Sequence, residues 1–249
     1  MHKELNSLDE YYSNNNYEEN VIIDQTNENI ILNHFKNFFA KNYHSILAKY
    51  LYGIQKNLTK CCGCGAMIYN FQAYNFIIFP LLEVKKFVFM NYCNNNSFFN
   101  FQNHILNLTD CFNYYQKIEY FNGQNYIFCN ICHSNQTANY CNLLYSVPTI
   151  LSIVLNRGKN NADFKDKFNI YIELDLGNFV EENPSNAKYY LIGVVCHIGD
   201  SSMSGHFFSY CRSDLKSLWY KYNDSLVTPC DQEEILNAVT PYILFYHKY

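Results

Sequence analysis

No stretch of the sequence approaches the roughly eighteen consecutive apolar residues that a membrane-spanning helix needs, and the most apolar windows, FIIFPLL and VPTILSIVL, fall far short. The amino-terminal MHKELNSLDEYYSNNNYEEN is acidic and lacks the apolar core of a secretory leader. Basic residues are scarce too: 18 Lys and Arg face 22 Asp and Glu, the formal charge is −4 with a pI near 6.0, and no long Lys/Arg block occurs. These absences argue against a membrane, a secreted chain and a nucleic-acid backbone as partner. They predict an intracellular protein, cytoplasmic or nuclear, to which a basic protein or peptide is the easier partner. The eleven cysteines are odd in number and unevenly spaced, which excludes the regular disulfide framework of a small secreted domain and favours thiols and metal.

What is present is enough apolar material for a sizeable core: 49% of the 249 residues are hydrophobic, which suits one domain, or one domain with a subdomain. Residues 1–27 are polar, acidic and without periodicity, and read as a flexible lead-in. From Glu28 the apolar residues Ile31, Phe35, Phe38, Phe39, Ile46, Leu47 and Tyr50 recur at three- and four-residue steps, predicting two helices broken within residues 42–45 and ended by Gly53. Strand-like runs follow in MIYNFQAYNFIIFPL, KKFVFMNY, YSVPTILSIVL, FNIYIEL, YYLIGVVCHI and PYILFYHKY. LTDCFNYYQK reads as a short helix capped by Thr109 or Asp110, and the NNN runs at 14–16 and 94–96 as loops. Helices first and an antiparallel β-rich remainder predict an α+β fold.

Near the carboxyl end, HFFSYCR and LWYKYND are aromatic-rich with apolar and polar residues interleaved, and the polar SDLKS lies between them, so the segment reads as a β-hairpin. A turn centred between Asp214 and Leu215 would set Tyr210 opposite Trp219, Phe207 opposite Tyr222 and His206 opposite Asn223. Opposed residues share a face of a sheet, so an imidazole and a carboxamide come within reach, while Asp224 points to the other face unless a bulge turns it back. An amide oxygen that accepts the Nδ1 proton fixes the tautomer of a histidine and frees Nε2 to act as a base, the orienting role found in Cys-His-Asn peptidases.

Two C-x-x-C pairs, Cys61 with Cys64 and Cys129 with Cys132, can each present two thiolates to a zinc ion, and together they fill a closed tetrahedral site that stabilises the fold and leaves no position open for a substrate. Cys62, His133 and Cys141 lie near enough in sequence to substitute for one of the four.

These residues resemble those of a known family. YYLIGVVCHIGDSSMSGHFFSYCR, WYKYNDSLVT and PYILFY are similar, in order and spacing, to the histidine box and final strand of the ubiquitin-specific proteases, papain-like cysteine peptidases that cleave after the C-terminal glycine of ubiquitin. CCGCG, CNIC and VPTILSIVLNR resemble the zinc-bearing fingers and palm of the same fold. The resemblance implies residues 28–249 as the catalytic domain, with 28–58 helical, 59–145 as zinc-bearing fingers and adjoining palm, and 146–249 as palm with the histidine box. It implies His206 as general base, Asn223 as the residue that orients it and Asp224 as an adjacent acidic group. It implies zinc on Cys61, Cys64, Cys129 and Cys132, and ubiquitin or ubiquitinated proteins as partners. One element of the family pattern does not occur: its nucleophile sits in a Gly-Asn-Thr-Cys-Tyr box ahead of the fingers, whereas no cysteine precedes Cys61 here. The expectation is therefore a deubiquitinating thiol peptidase chain truncated at its amino terminus, the alternative being a ubiquitin-binding pseudoenzyme or scaffold of the same fold. A zinc-ribbon module for nucleic acid fits poorly with the low charge.

Overall fold

The computed structural model describes residues 25–94, 104–158, 164–201, 204–213, 218–238 and 240–249. Most of the expected lead-in, both NNN runs except Asn94, and the hairpin turn at Asp214 and Leu215 lie outside the described residues. Contacts divide the chain into two compact units, one built from residues up to Asn75 with Gln116–Thr149 and Phe179–Pro184, the other from Phe76–Tyr115, Ile150–Asn178 and Ser185–Tyr249.

The first unit opens with helices α1 (Glu28–Asn42) and α2 (Ile46–Leu51), broken where the periodicity breaks. Asn27 and Ser45 cap them, each side-chain oxygen accepting a backbone N–H three residues on. Helical structure ends at Leu51, so the stretch 28–58 is not helical throughout: strand β1 occupies Gly53–Cys61. With β2 (Met67–Tyr74), β5 (Glu119–Phe121) and β8 (Ala138–Ser146) it forms an antiparallel sheet in the order β2-β1-β8-β5, and β6 (Ile127–Cys129) with β7 (Ser134–Gln136) makes a separate hairpin. Phe35 of α1 stacks on Phe71 of β2 at 6.3 Å. Lys56 of β1, only 6% exposed, donates to Glu28 of α1 at 3.0 Å and to Glu181 at 2.6 Å. Burial opposes its charge, but the hydrogen bonds to Glu181 and Glu28 more than offset that and hold the ammonium above its usual pKa.

The second unit is organised on a sheet of strands β3 (Ile77–Pro80), β9 (Ile150–Asn156), β12 (Lys188–Ser201), β13 (Ser204–Ser213), β14 (Leu218–Asn223), β15 (Leu226–Cys230) and β16 (Pro241–Lys248), ordered β15-β14-β13-β12-β16-β9-β3, with β11 (Glu173–Asp175) joined to β12. All pairs are antiparallel except β3 with β9. Leu151, Ile153 and Leu155 alternate into the core from β9, and Leu244 and Tyr246 do so from β16. Strands β4 (Leu106–Asn107) and β10 (Phe168–Asn169) form a short parallel pair, so FNIYIEL is two brief strands and not one.

Two further expectations are corrected by the structure. KKFVFMNY is no strand; it lies inside helix α3 (Leu81–Asn94), whose buried residues Leu81, Val84 and Val88 follow a helical period. Helix α4 (Leu108–Tyr115) is capped by Asn107 rather than by Thr109 or Asp110. Asn107 Oδ1 accepts the Asp110 N–H at 3.2 Å while Asp110 Oδ2 accepts the Asn107 N–H at 3.1 Å, a reciprocal box that satisfies two donors at once. The α4 core residue Phe112 packs edge-on against Phe79 at 5.1 Å. A final short helix, α5 (Gln232–Leu236), begins after Asp231.

Candidate functional site: a histidine–asparagine pair and a four-cysteine cluster

Strands β13 and β14 do form the expected hairpin, but in a register two residues from the expected one. Tyr210 pairs with Lys221, Ser209 with Tyr222 and Arg212 with Trp219. The reason is polar: Glu234 of α5 accepts from the Tyr210 hydroxyl at 3.2 Å and from Lys221 Nζ at 3.0 Å, and Lys221 lies over the Tyr210 ring, so these two are held abreast. A slip of two leaves every side chain on its face, whereas a slip of one would have inverted them. Asn223 therefore becomes a diagonal neighbour of His206 on the same face, still within side-chain reach.

The imidazole and the carboxamide meet through a hydrogen bond between His206 Nε2 and Asn223 Oδ1. The engaged nitrogen is Nε2 and not the expected Nδ1, because a diagonal partner is reached by the far end of the ring. With the Nε2 hydrogen donated to the amide oxygen, Nδ1 is the nitrogen left to accept a proton. Asp224 stands in the tight turn between Asn223 and Leu226 with φ of +52°, a left-handed conformation that Asp tolerates better than most residues. That turn brings its Oδ2 to 3.9 Å from His206 Nε2, so Asp224 flanks the imidazole from the exposed side. Among the described residues the partners of the His206 side chain are Asn223 and Asp224, and no thiol is one of them.

Two further residues, on the strand pair that carries His206, were not singled out in the sequence. His197 of β12 is 6% exposed and its ring lies 4.3 Å from that of Phe207, its partner across the strands. A Cβ on Gly205 would stand 2.1 Å from His197 Nε2 and 2.9 Å from the Ile198 carbonyl oxygen. The residue preceding His206 thus has to be glycine for the buried ring to occupy its place. The only trace in the sequence is a glycine next to one histidine and a second histidine nine residues earlier.

In the other unit, Cys61, Cys64, Cys129 and Cys132 converge, their four sulfurs all within 4.8 Å of one another. Two edges of the cluster measure 3.9 Å, from Cys61 Sγ to Cys132 Sγ, and 3.7 Å, from Cys64 Sγ to Cys129 Sγ. Four sulfurs at Zn–S bonds of about 2.3 Å define a tetrahedron of edge about 3.8 Å, so the donor set fits zinc in size and chemistry. Both loops close alike. Gly65 N–H donates to the Cys61 carbonyl at 2.9 Å with φ of +76° at Gly65, and His133, just past the second pair, has φ of +51°. The backbone amide of Cys132 draws the Cys129 thiol below its ordinary value, while Cys132, hydrogen-bonded to Cys64 and beside the other sulfurs, is pushed above it. Cys62, His133 and Cys141 are not members of the cluster.

The profile of the family described as ubiquitin carboxyl-terminal hydrolase matches residues 2–246. Ubiquitin carboxyl-terminal hydrolase 48 of Rattus norvegicus is 35% identical over 123 residues, which cover 47% of this chain and 12% of the rat protein. Among solved structures, the SAGA Ubp8–Sgf11–Sus1–Sgf73 DUB module aligns over 86% of this chain and 45% of the matched one, with a TM-score of 0.64 at 22% identity. The yeast SAGA DUB module with a mutant Sgf73 aligns over 89% of this chain and 48% of the other, with a TM-score of 0.65 at 22% identity. The chain thus spans less than half the length of these relatives, and the structural likeness carries the fold, mixed α+β and β-rich. The matched profile extends over nearly all the residues, the His206 hairpin and the cysteine cluster included, and the chain belongs to the ubiquitin carboxyl-terminal hydrolase family.

Proposed function

We propose that this chain supplies the base, its orienting partner and a zinc-stapled finger to a cysteine peptidase that cleaves after the C-terminal glycine of ubiquitin. The reading is carried by the His206–Asn223 contact in a chain of this family. In it, His206 takes the proton of a thiol nucleophile and returns it to the leaving amine, Asn223 holds the tautomer, and the carboxylate of Asp224 favours the imidazolium formed between the two steps.

No cysteine is among the described partners of His206, so in this reading the thiolate is supplied by a segment outside the described residues. Cys111 and Cys196 are buried, with desolvation pushing their thiols up, and Cys61, Cys64, Cys129 and Cys132 form the cluster. Zinc on the four cysteines, when bound, supplies a closed structural centre that ties the β1–β2 turn to the β6–β7 hairpin. All eleven cysteines are free thiols, which supports a reducing intracellular setting in the cytoplasm or nucleus. No described helix is long and apolar enough to cross a membrane.

A second reading, a ubiquitin-binding scaffold without peptidase activity, is supported by the same absence of a thiol among the described partners of His206. A thiol-reactive ubiquitin probe separates them. Residues 1–249 alone are expected to form no adduct, and a longer form carrying an Asn-x-Cys-Tyr segment is expected to form one at that cysteine. An adduct on any of the eleven cysteines would overturn the assignment, and inertness of every longer form would favour the scaffold.

A further inference from the structure

We propose that Glu234, on helix α5 and on neither strand of the hairpin, is a positioning residue for His206: it clamps β14 against β13 and thereby sets where the Asn223 carboxamide meets the imidazole. The inference rests on the reading of His206 as the base, but the clamp itself can be tested without activity. An antiparallel ladder does not fix its own register, because a slip of two residues restores both the backbone bonding pattern and the faces of the side chains. Side chains must choose. The aromatic residues of this hairpin would pair well with Tyr210 opposite Trp219, where Asn223 would face His206 directly and meet its near nitrogen, Nδ1. The structure instead pairs Tyr210 with Lys221 and gives Asn223 the far nitrogen, Nε2.

One carboxylate oxygen joins the two strands. Glu234 Oε1 accepts from the Tyr210 hydroxyl at 3.2 Å and from Lys221 Nζ at 3.0 Å. Burial pushes the Tyr210 hydroxyl up to about 12, so it keeps its proton and donates, and the bond to Glu234 holds the Lys221 ammonium above its usual pKa, so it stays charged. Both bonds are charge-assisted. Glu234 is itself anchored, since the fully buried Ile235 holds α5 in the core and Asp231 Oδ1 accepts the Glu234 N–H at 2.8 Å. The clamp also reaches toward the site. His206, Phe208 and Tyr210 alternate onto one face of β13, and Lys221 and Asn223 onto the same face from β14. Lys221 Nζ lies 5.1 Å from the centre of the Phe208 ring and 5.5 Å from that of Tyr210, and these two rings meet edge-on at 5.6 Å. Phe208 is two residues from His206 and Lys221 two residues from Asn223, roughly 7 Å along either strand. Without Glu234 the two registers compete, and the Asn223 oxygen is divided between Nε2 and Nδ1.

Imidazole ¹⁵N signals of residues 1–249 report which ring nitrogen carries the proton, the His206 signals being those lost in His206→Gln. With the ring neutral, the wild-type proton should sit on Nε2. Glu234→Ala should move the tautomer ratio about tenfold toward Nδ1, the worth of one hydrogen bond. Tyr210→Phe and Lys221→Met, which each remove one donor and keep the apolar body of the side chain, should move it less, and Glu234→Gln, which keeps an acceptor oxygen, should restore most of it. Asn107→Ala, which weakens the cap of α4 in the same unit, should leave the ratio unchanged. In the longer form carrying the Asn-x-Cys-Tyr segment, Glu234→Ala should lower kcat about tenfold with KM little changed, and Glu234→Gln should recover most of the loss. A wild-type proton on Nδ1, a ratio unmoved by Glu234→Ala and by Lys221→Met, or an equal change in Asn107→Ala would each overturn the proposal. A ratio that moves as expected, in a longer form whose turnover ignores His206→Ala, would overturn the reading of His206 as base and leave the clamp supported.

Discussion

Adding one methyl group at Gly205, the residue before His206, tests how tightly β13 packs on the buried His197 ring. In Gly205→Ala the new Cβ falls 2.1 Å from His197 Nε2, 2.6 Å from His197 Cε1 and 2.9 Å from the Ile198 carbonyl oxygen. Non-bonded carbon contacts settle near 3.5 Å or beyond, so more than an ångström must be recovered by moving a buried ring that packs on Phe207 at 4.3 Å. Overpacking of this kind costs about 1–3 kcal/mol, and the upper part of that range is expected because the ring is enclosed. His197→Ala alone removes the buried ring and should cost about 2–4 kcal/mol. Combining the two relieves the ring clash and leaves the 2.9 Å approach to the Ile198 carbonyl, so the double variant should be more stable than the sum of the single costs by about 1 kcal/mol or more. Urea unfolding of the four forms measures this, with a shift in midpoint and a constant slope. A Gly205→Ala change below about 0.5 kcal/mol, or additive single effects, would refute the steric argument.

Zinc analysis of the purified chain should find close to one ion, falling to near zero in Cys61→Ser and in Cys129→Ser; a content unchanged by either substitution would contradict the cluster's role. The folded-state pKa of Lys56 lies above the ordinary 10.5, so the stabilisation from its ion pairs is complete below about that pH and is lost as pH rises through the folded value. Lys56→Met should flatten this alkaline loss while costing about 1–2 kcal/mol near neutrality, a sum discounted because both carboxylates are about one-third exposed. Asn107→Ala should cost about 1 kcal/mol in thermal or urea unfolding, whereas Thr109→Ala should cost less, which checks the corrected cap of α4.

The helix break at residues 42–45, the strands β9, β12 and β16, and the shared face of His206 and Asn223 were legible in the sequence because each rests on a local period or on pairing between neighbouring strands. What was illegible rests on contacts from elsewhere in the chain. The two-residue register shift is decided by Glu234, which lies beyond both strands of the hairpin. KKFVFMNY is short enough to satisfy either period, and its helix is settled by burial of Leu81, Val84 and Val88. The clash of Gly205 with His197 exists only once β12 and β13 pair. The C-x-x-C pairs announced their chemistry by spacing, but only the folded chain brings residues 61–64 to 129–132 at tetrahedral distances. The choice of Nε2 over Nδ1 follows from the diagonal geometry and has no sequence signal at all.

The most direct test of the central claim is the rate at which a longer form, carrying the Asn-x-Cys-Tyr segment together with residues 1–249, releases a fluorogenic group from the C-terminus of ubiquitin. If His206 is the base and Asn223 its orienting partner, kcat should fall by a factor of about 100 or more in His206→Ala, and by less in Asn223→Ala, with KM little changed in either. Turnover that survives His206→Ala at the wild-type rate would contradict the account.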